Sequence, residues 1–187
     1  MHEQPVLLPG SPGEWDADGV LFPSVVFGPE GYRMAYEGFN QSAQTNSFGW
    51  ATSEDGLSWT KYDHPDTTAT PYAESDPVLV PDPESDWDSY RVGVPNLVLV
   101  PDGYLLAYYG QSRRNGSPAI GLASSPDGVA WERYHANPVF ASNDLPGGAH
   151  LHLWDFYYDQ NTAFLFVEGQ SSQSADIWLS VFEGDLP

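Results

Sequence analysis

Ser53-Glu54-Asp55-Gly56-Leu57-Ser58-Trp59 and Ser125-Pro126-Asp127-Gly128-Val129-Ala130-Trp131 are two copies of one motif, and 72 residues separate them. The Asp-Gly pair in each copy predicts a tight turn in which glycine takes a positive φ, and the upstream serine can bond the turn amides. The final tryptophan of each copy predicts packing into an apolar layer between sheets. The motif therefore indicates a turn between two strands of a repeated β unit.

The same 72-residue offset extends well beyond the motif. Further matched pairs are Trp15/Trp87, Asp16/Asp88, Pro23/Pro95, Gly38/Gly110, Gly49/Gly121 and Tyr62/Tyr134. Strand-like runs occupy residues 20–27, 32–37, 48–52 and 59–62 in the first unit, and 92–100, 104–109, 119–124 and 131–134 in the second. A period of this length without a helical pattern predicts a four-stranded antiparallel blade of a β-propeller.

A third unit begins near residue 138 and is degenerate. Its strand-like runs are 151–158, 163–168 and 177–182, and a fourth run is missing. We therefore predict an all-β, single propeller-type domain over 1–187, with about three blades in repeat units at about 5–76, 77–137 and 138–187. An open blade edge exposes unpaired backbone groups. We expect a homodimer to complete a five- or six-bladed ring; the alternative is that the chain is a piece of a longer protein.

The chain is strongly acidic, with a formal net charge of −20 from 26 Asp and Glu against six Lys and Arg. This balance argues against a nucleic-acid partner, which needs clustered cations. It indicates either solubility in a salty medium or a surface for cations or basic partners. No apolar run is long enough to predict a membrane span, and no cysteine is present for disulfides or thiolate metal sites. The N-terminal residues do not resemble a signal peptide, and the cellular location stays open.

The order of several motifs resembles one family of propellers. These motifs are Trp87-Asp88, Pro95, Tyr108-Tyr109-Gly110, the Gly-x-Ala-x-Ser-x-Asp-Gly-x-x-Trp run at 121–131, and Asn137-Pro138-Val139. The order is similar to that of the arabinanase/levansucrase/invertase group of glycoside-active propellers, over residues 5–140 well and the remainder weakly. The resemblance implies a five-bladed ring, a carbohydrate ligand and acidic catalytic residues on the inner strands.

The chain departs from this family at the residue directly before the inner-strand proline of both repeats. In arabinanase-like enzymes an acid commonly stands directly before the inner-strand proline, whereas here Phe22 and Val94 precede Pro23 and Pro95. The resemblance thus implies a carbohydrate-related protein similar to glycoside hydrolases, and the departure argues against standard catalysis without deciding whether the protein is an enzyme. The alternative is a non-catalytic module that binds a glycan or a protein, or a self-assembling half-propeller.

If a glycosidase site exists, it needs two carboxylates that face one cavity. The candidates for base or nucleophile are Asp16, Asp88 and Asp155, near the starts of the inner strands. The candidates for general acid are Glu37 and Glu168, beside the glycine of the second strand. The structural alternative is that the aspartates cap turns and that the glutamates are solvated or hydrogen-bonded at strand edges.

A second set of residues is suited to ligand binding. His150 and His152 alternate along a strand, which predicts that both imidazoles lie on one face. The pair indicates a metal, a ligand or plain packing, and we assign neither metal nor cofactor. Arg91 can pair with a structural carboxylate or recognise a substrate. The other ligand-binding candidates are Trp154, Tyr36, Tyr108 and Tyr109.

Overall fold

The computed structural model describes residues 3–114, 116–145, 150–170 and 174–183, and for Leu153 and Trp154 it describes the backbone only. Three antiparallel sheets make up this part of the chain. The first contains β1 (Gly19–Gly28), β2 (Gly31–Asn40), β3 (Thr45–Ser53), β4 (Thr60–Lys61) and β5 (Pro77–Leu79). The second contains β6 (Arg91–Val100), β7 (Gly103–Gln111), β8 (Pro118–Ser125), β9 (Glu132–Arg133) and β10 (Phe140–Ala141). The third contains β11 (His150–Asp159), β12 (Thr162–Gln170) and β13 (Ala175–Glu183).

These sheets are the blades that the 72-residue repeat predicts, and we refer to them as blades 1, 2 and 3. Each predicted strand is confirmed to within three residues at either end, and blade 3 has three strands in its described part. The sole helix in the described residues is a short 3-10 helix at Ser142–Asp144. None of the described segments forms a helix that is long and apolar enough to cross a bilayer.

The outer strand of blades 1 and 2 is broken into two short segments. In blade 1, β4 pairs with Ala51 and Thr52 of β3, and β5 pairs with Phe48 and Gly49 further along the same edge. In blade 2, β9 and β10 pair with β8 in the same way. The sequence placed the approximate limits between repeat units at residues 76 and 137. Each limit precedes a short segment, β5 or β10, that still pairs with the earlier blade.

The repeated motif forms the turn that its sequence predicts. Ser53 Oγ accepts hydrogen bonds from the amides of Asp55 and Gly56, and the same oxygen donates to Asp55 Oδ1. Gly56 has a φ of 74°, and Trp59 Nε1 donates to its carbonyl oxygen. The second copy repeats each of these bonds, and Gly128 has a φ of 82°. This confirms a structural role for the motif.

Apolar layers between neighbouring blades form the core. Blades 1 and 2 meet through Phe48 and Trp50 on one side and Leu106 and Tyr108 on the other. Blades 2 and 3 meet through an aliphatic layer made of Leu105, Ala107, Ile120, Leu122, Leu151, Ala163, Leu165 and Val167. A smaller cluster covers part of the outer side of blade 1, and it contains Trp15, Met34, Tyr36 and Ala51.

The two ends of the three-blade stack keep apolar side chains in solvent. On blade 1, Val25 and Phe27 are 46% and 66% exposed, and they pair in register with Met34 and Tyr32. On blade 3, the alternating residues Ile177, Leu179 and Val181 are 69%, 53% and 49% exposed. Each open end is thus a sheet face with the composition of a blade interface.

Candidate functional site

Three β-bulges lie at equivalent places on the inner strands β1, β6 and β11. The strand register shifts between Leu21 and Ser24, between Gly93 and Asn96, and between Leu153 and Asp155. Phe22 and Val94 occupy the first two bulges and have φ values of 46° and 53°. Bulges redirect side chains, and positive φ in such residues costs energy that proteins retain mainly at functional sites.

A cavity of about 210 Å³ opens beside these bulges. All three blades contribute to it: the lining residues are Phe22, Glu37, Arg91, Gly93, Val94, Tyr109, His150 and His152. Five of the twelve site residues proposed from the sequence therefore converge here. A wider groove of about 570 Å³ lies near the turns at Gly28 and Pro101, but it contains none of the twelve.

Glu37 is the carboxylate of this cavity, and it is only 4% exposed. Its Oε2 accepts a hydrogen bond of 2.9 Å from the amide of Val94, and its Oε1 accepts one from Asn46 Nδ2. Burial raises the pKa of Glu37, while the hydrogen bonds from Asn46 and Val94 and the charge of Arg91 oppose that shift. A β-carbon on Gly93 would lie 2.5 Å from Oε2, so this carboxylate needs a glycine beside it.

Arg91 lines the same cavity from the start of β6. Its guanidinium carbon lies 5.7 Å from the ring centroid of Tyr109 and 6.0 Å from that of Tyr90. These are cation–π distances. Nε of Arg91 is buried, and no hydrogen-bond partner for it exists among the described residues.

The two histidines of β11 stack on each other. Their ring centroids are 5.0 Å apart with an angle of 10° between the ring planes. The prediction that both imidazoles lie on one face of the strand is therefore confirmed. Among the described residues, no group of three His, Cys, Asp or Glu side chains is arranged to hold a metal ion.

Asp16 lies outside the cavity, in a buried cluster. Its side chain is fully buried; Oδ2 accepts a hydrogen bond of 2.6 Å from Lys61 Nζ, and Oδ1 accepts one of 3.1 Å from the amide of Gly10. The hydroxyl of Tyr36 lies 3.5 Å from Oδ2. Burial, with the charge of Asp16, raises the pKa of Tyr36.

The cluster recurs 72 residues later around Asp88. Oδ2 of this buried carboxylate lies 2.9 Å from Arg133 Nε and 3.1 Å from the Tyr108 hydroxyl. Burial and the charge of Asp88 raise the pKa of Tyr108, against the charge of Arg133. In both copies the aspartate and the tyrosine contact the scaffold rather than the cavity. Asp16 accepts a turn amide, as the structural alternative predicts, and has a paired cation in addition. Asp88 has the paired cation, but its Oδ1 accepts no hydrogen bond from the described residues.

Asp155 and Glu168 are not among the residues that line the cavity. Asp155 is exposed, and its Oδ1 accepts a hydrogen bond of 2.9 Å from the amide of Phe156. Glu168 pairs in register with His152 and is half-buried. The side chain of Trp154 lies outside the described residues. The sequence analysis did not propose Phe22, Gly93 and Val94 as ligand contacts. The position of Phe22 and Val94 directly before the inner-strand prolines could have indicated two of them.

No family model and no curated protein sequence matches this chain. Solved structures do match it. Fructan 1-exohydrolase IIa from Cichorium intybus is 17% identical, with a TM-score of 0.65 over 92% of this chain and 31% of that chain. A glycoside hydrolase is 15% identical, with a TM-score of 0.68 over 100% of this chain and 54% of that one.

A third match belongs to the GH130 family of mannoside phosphorylases, which contains glycoside hydrolases that target β-1,2 mannosidic linkages in Candida mannan. It is 14% identical, with a TM-score of 0.61 over 97% of this chain and 56% of that chain. This chain has the fold of β-propeller glycoside hydrolases. It spans about a third to just over half of the length of these matches, as three blades of a larger ring would.

The number of carboxyl groups in the cavity decides which reactions it could catalyse. Within the described residues, Glu37 is the only acid among those that line it. Hydrolysis of a glycosidic bond by the usual routes needs two carboxyl groups, about 5–5.5 Å or 6.5–9.5 Å apart. In the part of the chain that the structure describes, the cavity therefore offers hydrogen bonding, one guanidinium, aromatic faces and one carboxyl group.

Proposed function

We propose that this chain is a carbohydrate-binding propeller segment whose ligand enters the cavity beside the three bulges. Within the described residues that cavity contains one carboxyl group, which supports binding rather than hydrolysis, because both routes to glycosidic cleavage need a second one. The residues before the inner-strand prolines, Phe22 and Val94, are apolar. They lie where an acid is common in the enzymes that the sequence resembles.

The remaining lining suits a sugar ring. Tyr109 and Phe22 offer aromatic faces for the C–H side of a ring, and Glu37 and Arg91 offer partners for hydroxyl groups. Pockets for drug-sized ligands measure roughly 300–1,000 Å³, so a cavity of about 210 Å³ fits one sugar residue of a longer glycan.

Calorimetric titration of the protein with a panel of mono- and oligosaccharides tests this proposal, with turnover of the matching glycosides measured in parallel. We expect binding without turnover, and at least tenfold weaker binding by Tyr109→Ala. Asp155→Asn, on the inner strand β11 but outside the cavity lining, should bind as the parent does. Turnover that Glu37→Gln abolishes would instead establish a hydrolase with Glu37 as its acid; a panel without binding would end the proposal.

We also propose that two copies of the chain associate to close the ring. Met34 and Tyr36 on the outer face of blade 1 are the 72-residue equivalents of Leu106 and Tyr108, which pack against blade 1. They are buried in a cluster with Trp15, whereas Val25 and Phe27 on the same face are exposed. The open face of blade 1 thus has the composition to accept the opposite face of another blade. Blade 3 leaves such a face open at Leu179, so blade 3 of each copy can cover blade 1 of the other.

Light scattering coupled to size exclusion tests the assembly, at low and high salt because each copy carries −20. A mass twice that of the 20.6 kDa chain is expected, with more dimer at high salt. Leu179→Glu should give monomers, while Leu57→Glu adds the same charge to an exposed turn and should leave the dimer intact. A monomer at every salt concentration would overturn the assembly and leave the sugar site to be tested by itself.

A further inference from the structure

The few cations of this acidic chain are mostly paired with carboxylates. Four of the six Lys and Arg side chains form ion pairs of 2.6–2.9 Å: Arg33 with Glu30, Lys61 with Asp16, Arg114 with Asp86, and Arg133 with Asp88. Arg91 and Arg113 form none within the described residues, and both stack on Tyr90. Arg113 is exposed, whereas Arg91 lines the cavity.

Glu37 does not neutralise Arg91 through a direct contact. Both of its carboxyl oxygens already accept hydrogen bonds, one from Asn46 and one from Val94, and no ion pair joins it to Arg91. Burial also makes the neutral form of Glu37 easier to reach than usual, since its pKa is raised.

The other polar groups of the cavity are donors or can become donors. His150 and His152 present two parallel imidazoles to it, and imidazole carries N–H groups in every protonation state. Nε of Arg91 is buried and still lacks a hydrogen-bond partner among the described residues. A buried donor without a partner is destabilising, and a ligand acceptor would satisfy it.

We infer that the sugar bound beside Arg91 is an acidic one, whose carboxylate bonds the Arg91 guanidinium with the imidazoles of His150 and His152 alongside. This inference rests on the proposed carbohydrate-binding function and names its ligand class. Guanidinium groups match carboxylates in shape and in charge. A single arginine balances one negative charge, which favours a uronate carboxylate over a doubly charged phosphate in a chain that is already at −20.

Matched ligand pairs test the inference without any variant. Calorimetric titration would compare the methyl glycosides of glucuronate and galacturonate with those of glucose and galactose, at one fixed ionic strength. We expect at least one uronate to bind tenfold or more tightly than its neutral partner, as for a hydrogen bond to a charged group. Equal binding of acidic and neutral partners would overturn the inference and leave the proposed function standing. No binding of any sugar would end both.

Two variants then assign the preference to one side chain. Arg91→Gln should lose tenfold or more in uronate affinity and a smaller factor in affinity for neutral sugars, so that the preference for the uronate disappears. Arg113→Gln removes the other arginine that stacks on Tyr90 and should change neither affinity. Loss of the preference in Arg113→Gln, its survival in a folded Arg91→Gln, or inorganic phosphate binding as tightly as the uronate would each contradict the assignment.

Discussion

Asp16 Oδ2 and Lys61 Nζ lie 2.6 Å apart in blade 1, and the same relationship recurs one 72-residue repeat later between Asp88 and Arg133 at 2.9 Å. In each blade a cation on the short outer strand reaches a fully buried carboxylate at the entry to the inner strand. The bond therefore ties the first and the fourth strands of one blade together across the sheet.

The ion pair between Asp88 and Arg133 should contribute to the free energy of unfolding. Asp88→Asn removes the buried negative charge and leaves Arg133 without compensation, so we expect it to lower the free energy of unfolding by about 3 kcal/mol. Asp86→Asn breaks the exposed pair with Arg114 and should cost about 0–1 kcal/mol. Urea titration followed by tryptophan fluorescence measures both. The folded Asp88→Asn protein should bind sugar with the affinity of the parent. A loss of sugar binding without a loss of folding would instead show that Asp88 contributes to the binding site.

Gly93 should stabilise the protein by leaving room for the carboxyl group of Glu37. The methyl group of Gly93→Ala would meet Glu37 Oε2 at 2.5 Å and displace it from the Val94 amide, so we expect about 1–3 kcal/mol of destabilisation and weaker sugar binding. Gly19→Ala on the equivalent inner strand of blade 1 meets nothing closer than 3.9 Å and serves as the control. Equal thermal melts and equal affinities for the two variants would refute this account of Glu37.

The repeated turns should contribute a specific acid sensitivity. The amides of Ser58 and Leu57 lower the pKa of Asp55 to about 2, and those of Ala130 and Val129 lower the pKa of Asp127. Because the folded pKa is depressed, the contribution is complete above the ordinary value of 3.8 and is lost as the pH falls below it. Asp55→Asn should flatten the decline in thermal midpoint below that pH. Asp102→Asn, in an exposed hairpin turn, is the control; identical pH curves for the two would contradict the assignment.

Val94 should be strained in its bulge. A positive φ costs a β-branched residue roughly 1–2 kcal/mol, whereas asparagine adopts it readily. Val94→Asn is therefore expected to be neutral or to stabilise by up to about 1 kcal/mol, although it removes apolar surface. Val98→Asn, on a regular part of the same strand beside the core, should destabilise by about 1–2 kcal/mol. Equal losses of stability in the two variants would show that the bulge stores no strain.

The strands and the blade repeat could be predicted from the sequence because each blade is built from local hairpins with strong turn signals. The segments β5 and β10 could not, since each follows a linker and has only two or three residues. The roles of Asp16 and Asp88 depend on cations 45 residues further along the chain, and no local pattern shows that contact. The convergence of Glu37, Arg91 and His152 depends on how the blades pack, because each belongs to a different one.

The outer edge of β13 has consequences for backbone amide exchange. This strand is hydrogen-bonded to β12 on one side, and its other edge has no partner among the described residues, whereas β7 lies between β6 and β8 in the middle blade. Deuterium should therefore replace the protons of outward-pointing β13 amides within the earliest labelling times and those of β7 last. If a second copy covers blade 3, the labelling rate of β13 becomes a function of protein concentration.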